Sequence, residues 1–300
     1  MLKQDWLQER KKGIGGSDVA AILGISRFKT ALDVFYEKTT NMPGQQENNA
    51  MYFGSAFEDI IRKKYLLDTK EELIEYPRLI KKDFMLASVD GLTKSGKVVE
   101  IKTASNDKEW GEIGTDEIPL YYLTQVQHYM MVTGRKVCDV AVLIRGNDFR
   151  IYTVKEDTEL QKMLYSKEKQ FWDNLQKGIK PEATTTEDVV KLFPKALKDP
   201  IKANDKAIEN IQKIAALNKD IKQLEEQKEK IVFDIKNYIG EHDGIQIDGH
   251  TVVTYKNTKD KIVKDWDKIE EEAIKLFPNI ANIIQQNTKS VCGSRRLLIK

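Results

Sequence analysis

The chain has 300 residues, of which 40% are hydrophobic and 32% charged, with a formal net charge of +2. That length holds one large or two modest domains. No apolar run approaches the roughly 20 residues of a membrane span, and the near-neutral balance argues against DNA binding by one broad basic surface, though not against a locally basic passage. Only Cys138 and Cys292 are present, and His128, His242 and His250 are scattered, so neither a disulfide framework nor a zinc or histidine metal centre is expected. Met1 to Asp5 lack the apolar core of a signal peptide, and a reducing cytosol is the expected home.

Residues 5–9 read as a short helix, broken by Gly13-Ile14-Gly15-Gly16. Ser17 follows as an N-cap for a helix over 18–23, and 30–38 is a second short helix. A Gly/Pro/Gln-rich loop over 39–49 precedes a long amphipathic helix over 49–67, with Phe53, Phe57, Ile60, Ile61, Tyr65 and Leu66 near helical spacing. Glu58 falls at or beside that stripe. Strands are expected at 73–80, 84–89, 98–102, 137–145 and 149–154, with a helix over 119–133 between the third and fourth and a closing helix over 159–178. Strands, a helix, then strands imply an α/β core with a mixed central sheet.

Composition shifts after Lys180, and 181–186 is a linker candidate, so 1–180 reads as a core and 181–300 as an extension. Ile208, Ile211, Ile214, Leu217, Ile221, Leu224, Ile231 and Ile235 recur at coiled-coil-like spacing in a Lys/Glu-rich helix, interrupted by Lys228. They suit a helical hairpin or a dimer contact. Gly240 ends that helix, a hairpin over 245–255 turns at Asp248-Gly249, and a helix over 266–277 follows. The end of the chain reads as a strand in which Arg295, Arg296 and Lys300 form a small basic cluster. That cluster suits phosphate contact, or is a solvated strand end.

The chemistry concentrates in Ser88-Val89-Asp90-Gly91-Leu92 and, ten residues past Asp90, Glu100-Ile101-Lys102. Side chains in a strand alternate faces, so Glu100 and Lys102 share one face while Ile101 points into the core. If Asp90 ends the neighbouring strand of a hairpin, two carboxylates and one ammonium converge. Paired carboxylates repel unless a hard cation lies between them, and Mg²⁺ takes carboxylate oxygens, waters and substrate phosphate. A Lys beside that cation can hold or activate an attacking water, the minimum equipment for phosphodiester hydrolysis. The same triplet also occurs as solvated decoration on half-exposed strands. Ser17 reads equally as a plain cap, and Tyr122 and Gln125, one turn apart, as surface neighbours.

In order along the chain come Arg10, Gly13 to Asp18, Gly54-Ser55-Ala56-Phe57-Glu58, Ser88 to Gly91, Glu100-Ile101-Lys102, and Tyr122-Leu123-Thr124-Gln125-Val126-Gln127. This series resembles the phage-type exonucleases of the YqaJ and lambda exonuclease group, within the PD-(D/E)xK nuclease superfamily, over roughly residues 5–155. One departure is Val89, where the superfamily name has Pro; that residue supplies shape rather than chemistry. The resemblance implies a restriction-endonuclease-like core whose mixed sheet is flanked by helices, carrying the helical and hairpin extension. It implies two Mg²⁺ ions, with Mn²⁺ able to substitute, held by Asp90, Glu100, the Ile101 carbonyl and Glu58. Lys102 would contact the attacking water or the phosphate, and Gln125 would orient either one with Tyr122 alongside.

Arg10 and Ser17 would take a terminal 5′-phosphate. A guanidinium makes bidentate contacts to phosphate, and a helix N-terminus after a glycine turn offers free N–H groups to an anion. The implied activity is 5′-to-3′ degradation of linear duplex DNA in the cytoplasm of a bacterial host, leaving 3′ single-strand tails for a phage-type annealing protein. A related endonuclease or single-strand nuclease, and a non-catalytic DNA-binding or assembly protein, are the alternatives. The lambda-type ring is a trimer; a homo-oligomer is expected here, in that state or in one imposed by the seam from Ile214 to Ile235.

Overall fold

The computed structural model describes residues 8–40, 48–76, 79–196, 199–258 and 263–289. They fall into two compact units, Met1–Phe193 and Pro194–Lys300. The first opens with β1 (Ile14–Gly15), α1 (Gly16–Ile22), α2 (Ala31–Thr39) and the long α3 (Asn49–Thr69). Short strands β2 (Ile80–Lys82), β3 (Met85–Ala87) and β4 (Gly91–Leu92) lead into β5 (Lys97–Ala104). Helix α4 (Leu120–Thr133) then crosses to β6 (Val137–Ile144), β7 (Asp148–Lys155) returns, and α5 (Thr158–Gln176) and α6 (Thr186–Leu192) close the unit.

The central sheet has the order β4-β5-β6-β7, with β5 and β6 parallel and the outer pairs antiparallel. A parallel pair joined by a helix needs cover on both faces, and β5 supplies an apolar residue to each. Val99 and Ile101 face α3, packing with Ile61, Tyr65 and Ala141. Val98 belongs to the main core with Val126, Tyr129 and Met130 of α4. Glu100 is therefore a carboxylate on the α4 side of the sheet, only 3% exposed. The alternation expected at Glu100, Ile101 and Lys102 is present, with Ile101 in the core.

Three local expectations change. The segment 73–80 is not a continuous strand: Leu73 makes an isolated bridge to Thr93, and β2 begins only at Ile80. Ser17 is not the cap of α1. The helix starts two residues earlier, capped at Gly15, and the Asp18 carboxylate accepts the Gly15 N–H at 2.9 Å. That N–H is therefore engaged rather than open to an anion. The first unit also takes in α6, beyond the compositional shift at Lys180. Asp188 of α6 is fully buried and accepts from Thr30 Oγ1 at 2.8 Å and the Thr184 N–H at 3.0 Å.

The second unit is built on α7 (Asp205–Ile239), 35 residues long. Asn204 caps it by accepting the Ala207 N–H at 2.9 Å, and it ends at Gly240. The hairpin of β8 (Gly244–Ile247) and β9 (His250–Thr254) turns at Asp248 and Gly249, both with positive φ, as the two-residue I′ turn requires. Helices α8 (Trp266–Leu276) and α9 (Ile280–Asn287) follow, and α9 has no counterpart in the sequence reading. Arg295, Arg296 and Lys300 lie outside the described residues.

Candidate active site

Asp90 sits where the chain enters β4, opposite the middle of β5. The β4–β5 register pairs Gly91 with Val99, which sets Asp90 against Glu100. Asp90 Oδ2 accepts the Ile101 N–H at 2.7 Å, so backbone and carboxylate are locked together. Glu100 Oε1 accepts from Lys102 Nζ and, at 2.7 Å, from Gln125 Nε2 of α4. Gln125 Nε2 also reaches the Tyr129 hydroxyl at 3.1 Å. The Lys102 ammonium lies 4.9 Å from the centre of the Tyr122 ring, a cation–π distance.

The electrostatics follow from burial. Desolvation, and then the facing Glu100 charge, push the Asp90 carboxyl well above the usual carboxylate range. Burial also raises Glu100, against the pull of Lys102. Burial alone would lower the Lys102 ammonium, but Glu100 and Asp90 outweigh it and hold the ammonium above its ordinary value. In this arrangement Lys102 donates to Glu100 Oε1. Glu100 Oε2 is buried with no hydrogen-bond partner among the described residues. Two carboxylates that disfavour each other's charge, one with an orphaned oxygen, are a donor set that a hard divalent cation satisfies. Asp90 and Glu100 are the side chains that could hold one.

Glu58 stands on α3 on the wall of the same cleft, with its carboxylate engaged by Arg62. Arg62 Nε also donates to the Asp90 carbonyl at 3.2 Å. Among the described residues no three His, Cys, Asp or Glu side chains gather at ligating range. In this conformation Glu58 is thus held beside the Asp90–Glu100 pair, not drawn onto it.

The cleft has a volume of about 720 Å³, and Arg10 and Ser17 line it together with Glu58, Asp90 and Gln125. Arg10 Nη2 donates to Ser17 Oγ at 2.8 Å. Arg10 and Ser17 are therefore in direct contact, and they share a cavity with Asp90 and Glu58. Tyr122 is placed differently: its ring is tilted against Trp110 and edge-on to Tyr121, beside Lys102, and is not on the Arg10–Ser17 wall.

A profile of the YqaJ-like viral recombinase domain matches residues 5–136. The uncharacterized protein YqaJ of Bacillus subtilis (strain 168) is 34% identical over 257 residues, covering 79% of this chain and 78% of that protein. The chain belongs to the YqaJ-like viral recombinase family. Its fold is similar to that of LHK-Exo, crystallised in complex with dAMP, at 21% identity and a TM-score of 0.50, over 63% of this chain and 97% of that one. A second crystal structure of this alkaline exonuclease, from Laribacter hongkongensis, aligns at 22% identity and a TM-score of 0.49, over 59% and 94% of the two chains. The likeness is one of fold, the PD-(D/E)xK-like α/β core.

Several residues of the YqaJ-family site carried no functional signal in the sequence. Tyr129 has no role in the sequence reading, yet its hydroxyl takes Gln125 and its ring packs on Gly16. A Cβ at Gly16 would fall 2.5 Å from Tyr129 Cε1, so a glycine is needed there for close approach. Arg62, Tyr76 and Ser88 line the cleft and are brought in by tertiary packing. Asp18 stood in a quoted motif without a role and proves to be a fully buried ion-pair centre. Spacing could have found Arg62, four residues after Glu58 on one helix face. Nothing local marks the others.

Proposed function

We propose that this YqaJ-family protein is a Mg²⁺-dependent 5′-to-3′ exonuclease acting on linear duplex DNA with 5′-phosphorylated ends and leaving 3′ single-strand tails. What supports this reading is one observation: a single cleft is lined by Asp90, Glu58 and Gln125, the last hydrogen-bonded to Glu100, and by the Arg10–Ser17 pair. Bound at Asp90 and Glu100, with the Ile101 carbonyl and Glu58 completing the set, two Mg²⁺ ions would stabilise charge on the attacking and leaving oxygens. Lys102 and Gln125, both anchored on Glu100, orient the water and the scissile phosphate. Arg10 and Ser17 take the terminal phosphate, which makes the cleft dependent on an end. The tail suits a phage-type single-strand annealing protein as partner. No helix among the described residues is long and apolar enough to cross a membrane, and the host cytoplasm is the proposed place of action.

The test uses three duplex substrates: linear 5′-phosphorylated, linear 5′-hydroxyl and covalently closed circular. In Mg²⁺ the 5′-phosphorylated linear DNA is expected to be consumed fastest and the closed circle to remain intact. EDTA is expected to stop the reaction, and Arg10→Ala to remove the preference for 5′-phosphate. Equal cutting of the closed circle would make the protein an endonuclease, and faster loss of single strands a single-strand nuclease. No hydrolysis of any substrate would leave a DNA-binding or assembly protein.

The nuclease core is proposed to reside in residues 1–180, with 181–300 serving self-association and DNA or partner contact; Arg295 and Arg296 are part of that proposal. The apolar residues of α7 bear on self-association. Ile214, Ile221, Lys228 and Ile235 alternate in steps of four and three with Leu217, Leu224, Ile231 and Tyr238. All but Ile235 of the apolar ones are exposed, Leu224 at 63% and Tyr238 at 79%. Ile at one seam position and Leu at the other suits a two-stranded coiled coil, with the single Lys fixing register. A second copy of α7 is the proposed occupant. A solution mass of twice 34.5 kDa is expected, falling to one chain in Leu224→Asp. A single-chain or three-chain mass for the unaltered protein would overturn it.

A further inference from the structure

Beneath the Arg10–Ser17 wall lies a buried ionic cluster that neither the metal chemistry nor the packing of the sheet accounts for. Asp18 is 0% exposed. Its carboxylate accepts from Lys29 Nζ at 2.7 Å and from the Gly15 N–H at 2.9 Å, pairs with Lys38 Nζ at 2.7 Å, and lies 3.6 Å from Arg10 Nη2. Lys38 also donates to the Arg10 backbone carbonyl at 2.8 Å, with its side chain only 4% exposed. Arg10 is therefore held at both ends, its carbonyl by Lys38 and its guanidinium beside Asp18. The turn that carries Ser17 is held by the same carboxylate through Gly15.

Arg10, Lys29 and Lys38 surround Asp18, and Lys29 also pairs with Glu37 at 2.9 Å. Each buried charge costs desolvation. Burial would raise the Asp18 carboxyl, but the three cations hold it well below the usual range. Lys38 is pushed below its ordinary value by burial and by neighbouring cations, against the pull of Asp18. The cluster reaches the cleft at Arg10, which lines it together with Ser17.

We infer that Asp18 and Lys38 are positioning residues of the end-recognition pocket, holding Arg10 and the Gly15–Ser17 turn so that the two side chains grip a terminal phosphate together. This rests on the end-dependent reading above. The experiment measures kcat and KM of the full-length protein on linear duplexes with 5′-phosphate and with 5′-hydroxyl ends, for the unaltered chain, Arg10→Ala, Lys38→Gln, Lys38→Arg and Asp18→Asn. Thermal melting establishes which variants are folded. Lys38→Gln is expected to raise KM for 5′-phosphorylated ends about tenfold, part of the worth of one charge-assisted hydrogen bond. Its kcat should stay within about twofold and its KM for 5′-hydroxyl ends should not move. Asp18→Asn, which keeps the shape and an acceptor for Gly15, is expected to act in the same direction, and Lys38→Arg to restore the discrimination. A folded Lys38→Gln or Asp18→Asn that keeps the unaltered chain's ratio of the two KM values, while Arg10→Ala loses it, overturns the positioning role alone. If the unaltered chain does not distinguish the two ends, the end-dependent reading fails first and takes this inference with it.

Discussion

Lys102→Ala is expected to lower kcat for DNA hydrolysis by about 10²–10³-fold, the usual effect of removing one preorganised donor from a site of developing charge. The reason is its fixed position. The ammonium is held on Glu100 Oε1 and over the Tyr122 ring, and the neighbouring carboxylates hold it above its ordinary value. Its expected contribution is a donor delivered at one point. Alanine removes that charge and leaves Asp90 and Glu100 opposed without their nearest cation. DNA binding should change little, because Arg10 and Ser17 hold the end independently of Lys102. Rates at saturating 5′-phosphorylated duplex, together with a binding curve, separate the two effects. Unchanged kcat in a folded Lys102→Ala would show that the chemistry is carried elsewhere in the cleft.

Glu168→Ala is expected to cost about 3–5 kcal/mol of folding stability, the usual penalty for leaving one partner of a buried ion pair unpaired. His128 and Glu168 are both fully buried. His128 Nδ1 meets Glu168 Oε2 at 2.8 Å, and Nε2 meets the Leu86 carbonyl at 3.0 Å. Both ring nitrogens face acceptors, so both are satisfied as donors only in the imidazolium form. Burial lowers the affinity of His128 for its proton, but Glu168 outweighs that and raises it. The pair ties α4, which carries Gln125, to α5 and β3.

The sign of the pH dependence follows. The folded-state pKa of His128 lies above the unfolded value of about 6.5. The stability it contributes is complete below that value and is lost as pH rises through the folded pKa. The melting temperature of the unaltered protein should therefore fall, by this group, as pH rises above about 6.5. Glu168→Gln should flatten that slope at a cost of about 1–2 kcal/mol. A neutral His128 that still donates Nε2–H to Leu86 can accept at Nδ1 from the Gln amide. A Glu168→Gln protein that keeps the full alkaline slope would place the titration on another group. Thermal melts of the three proteins across this range decide the matter.

The parts of the fold visible in the sequence are those set by local periodicity. Residues 49–67 display Phe57, Ile61 and Tyr65 at helical spacing, and α3 forms on that stripe. The β-branched run at Val98, Val99 and Ile101 marks β5, and Asp248-Gly249 marks the hairpin turn. Where backbone pairing depends on a distant segment, the reading is weaker: 73–80 looks like a strand by composition but finds only one bridge to Thr93. Ser17 looks like a cap by residue type, yet Asp18 reaches back to Gly15 and frees the Ser17 hydroxyl for Arg10.

The candidate site divides along the same line. By itself the sequence determined that Glu100 and Lys102 share a face and that Asp90, across a short turn, can meet them. Strand alternation and hairpin register are short-range geometry and need no knowledge of the rest of the chain. Only the tertiary structure decided that Gln125 and Tyr129 arrive from α4 and that Lys29 and Lys38 converge on Asp18 beneath Arg10. Those contacts join residues on separate elements whose approach is set by the packing of α2 and α4 around the core. A buried charge acquires its role from the neighbours that this packing delivers, and no local pattern encodes them.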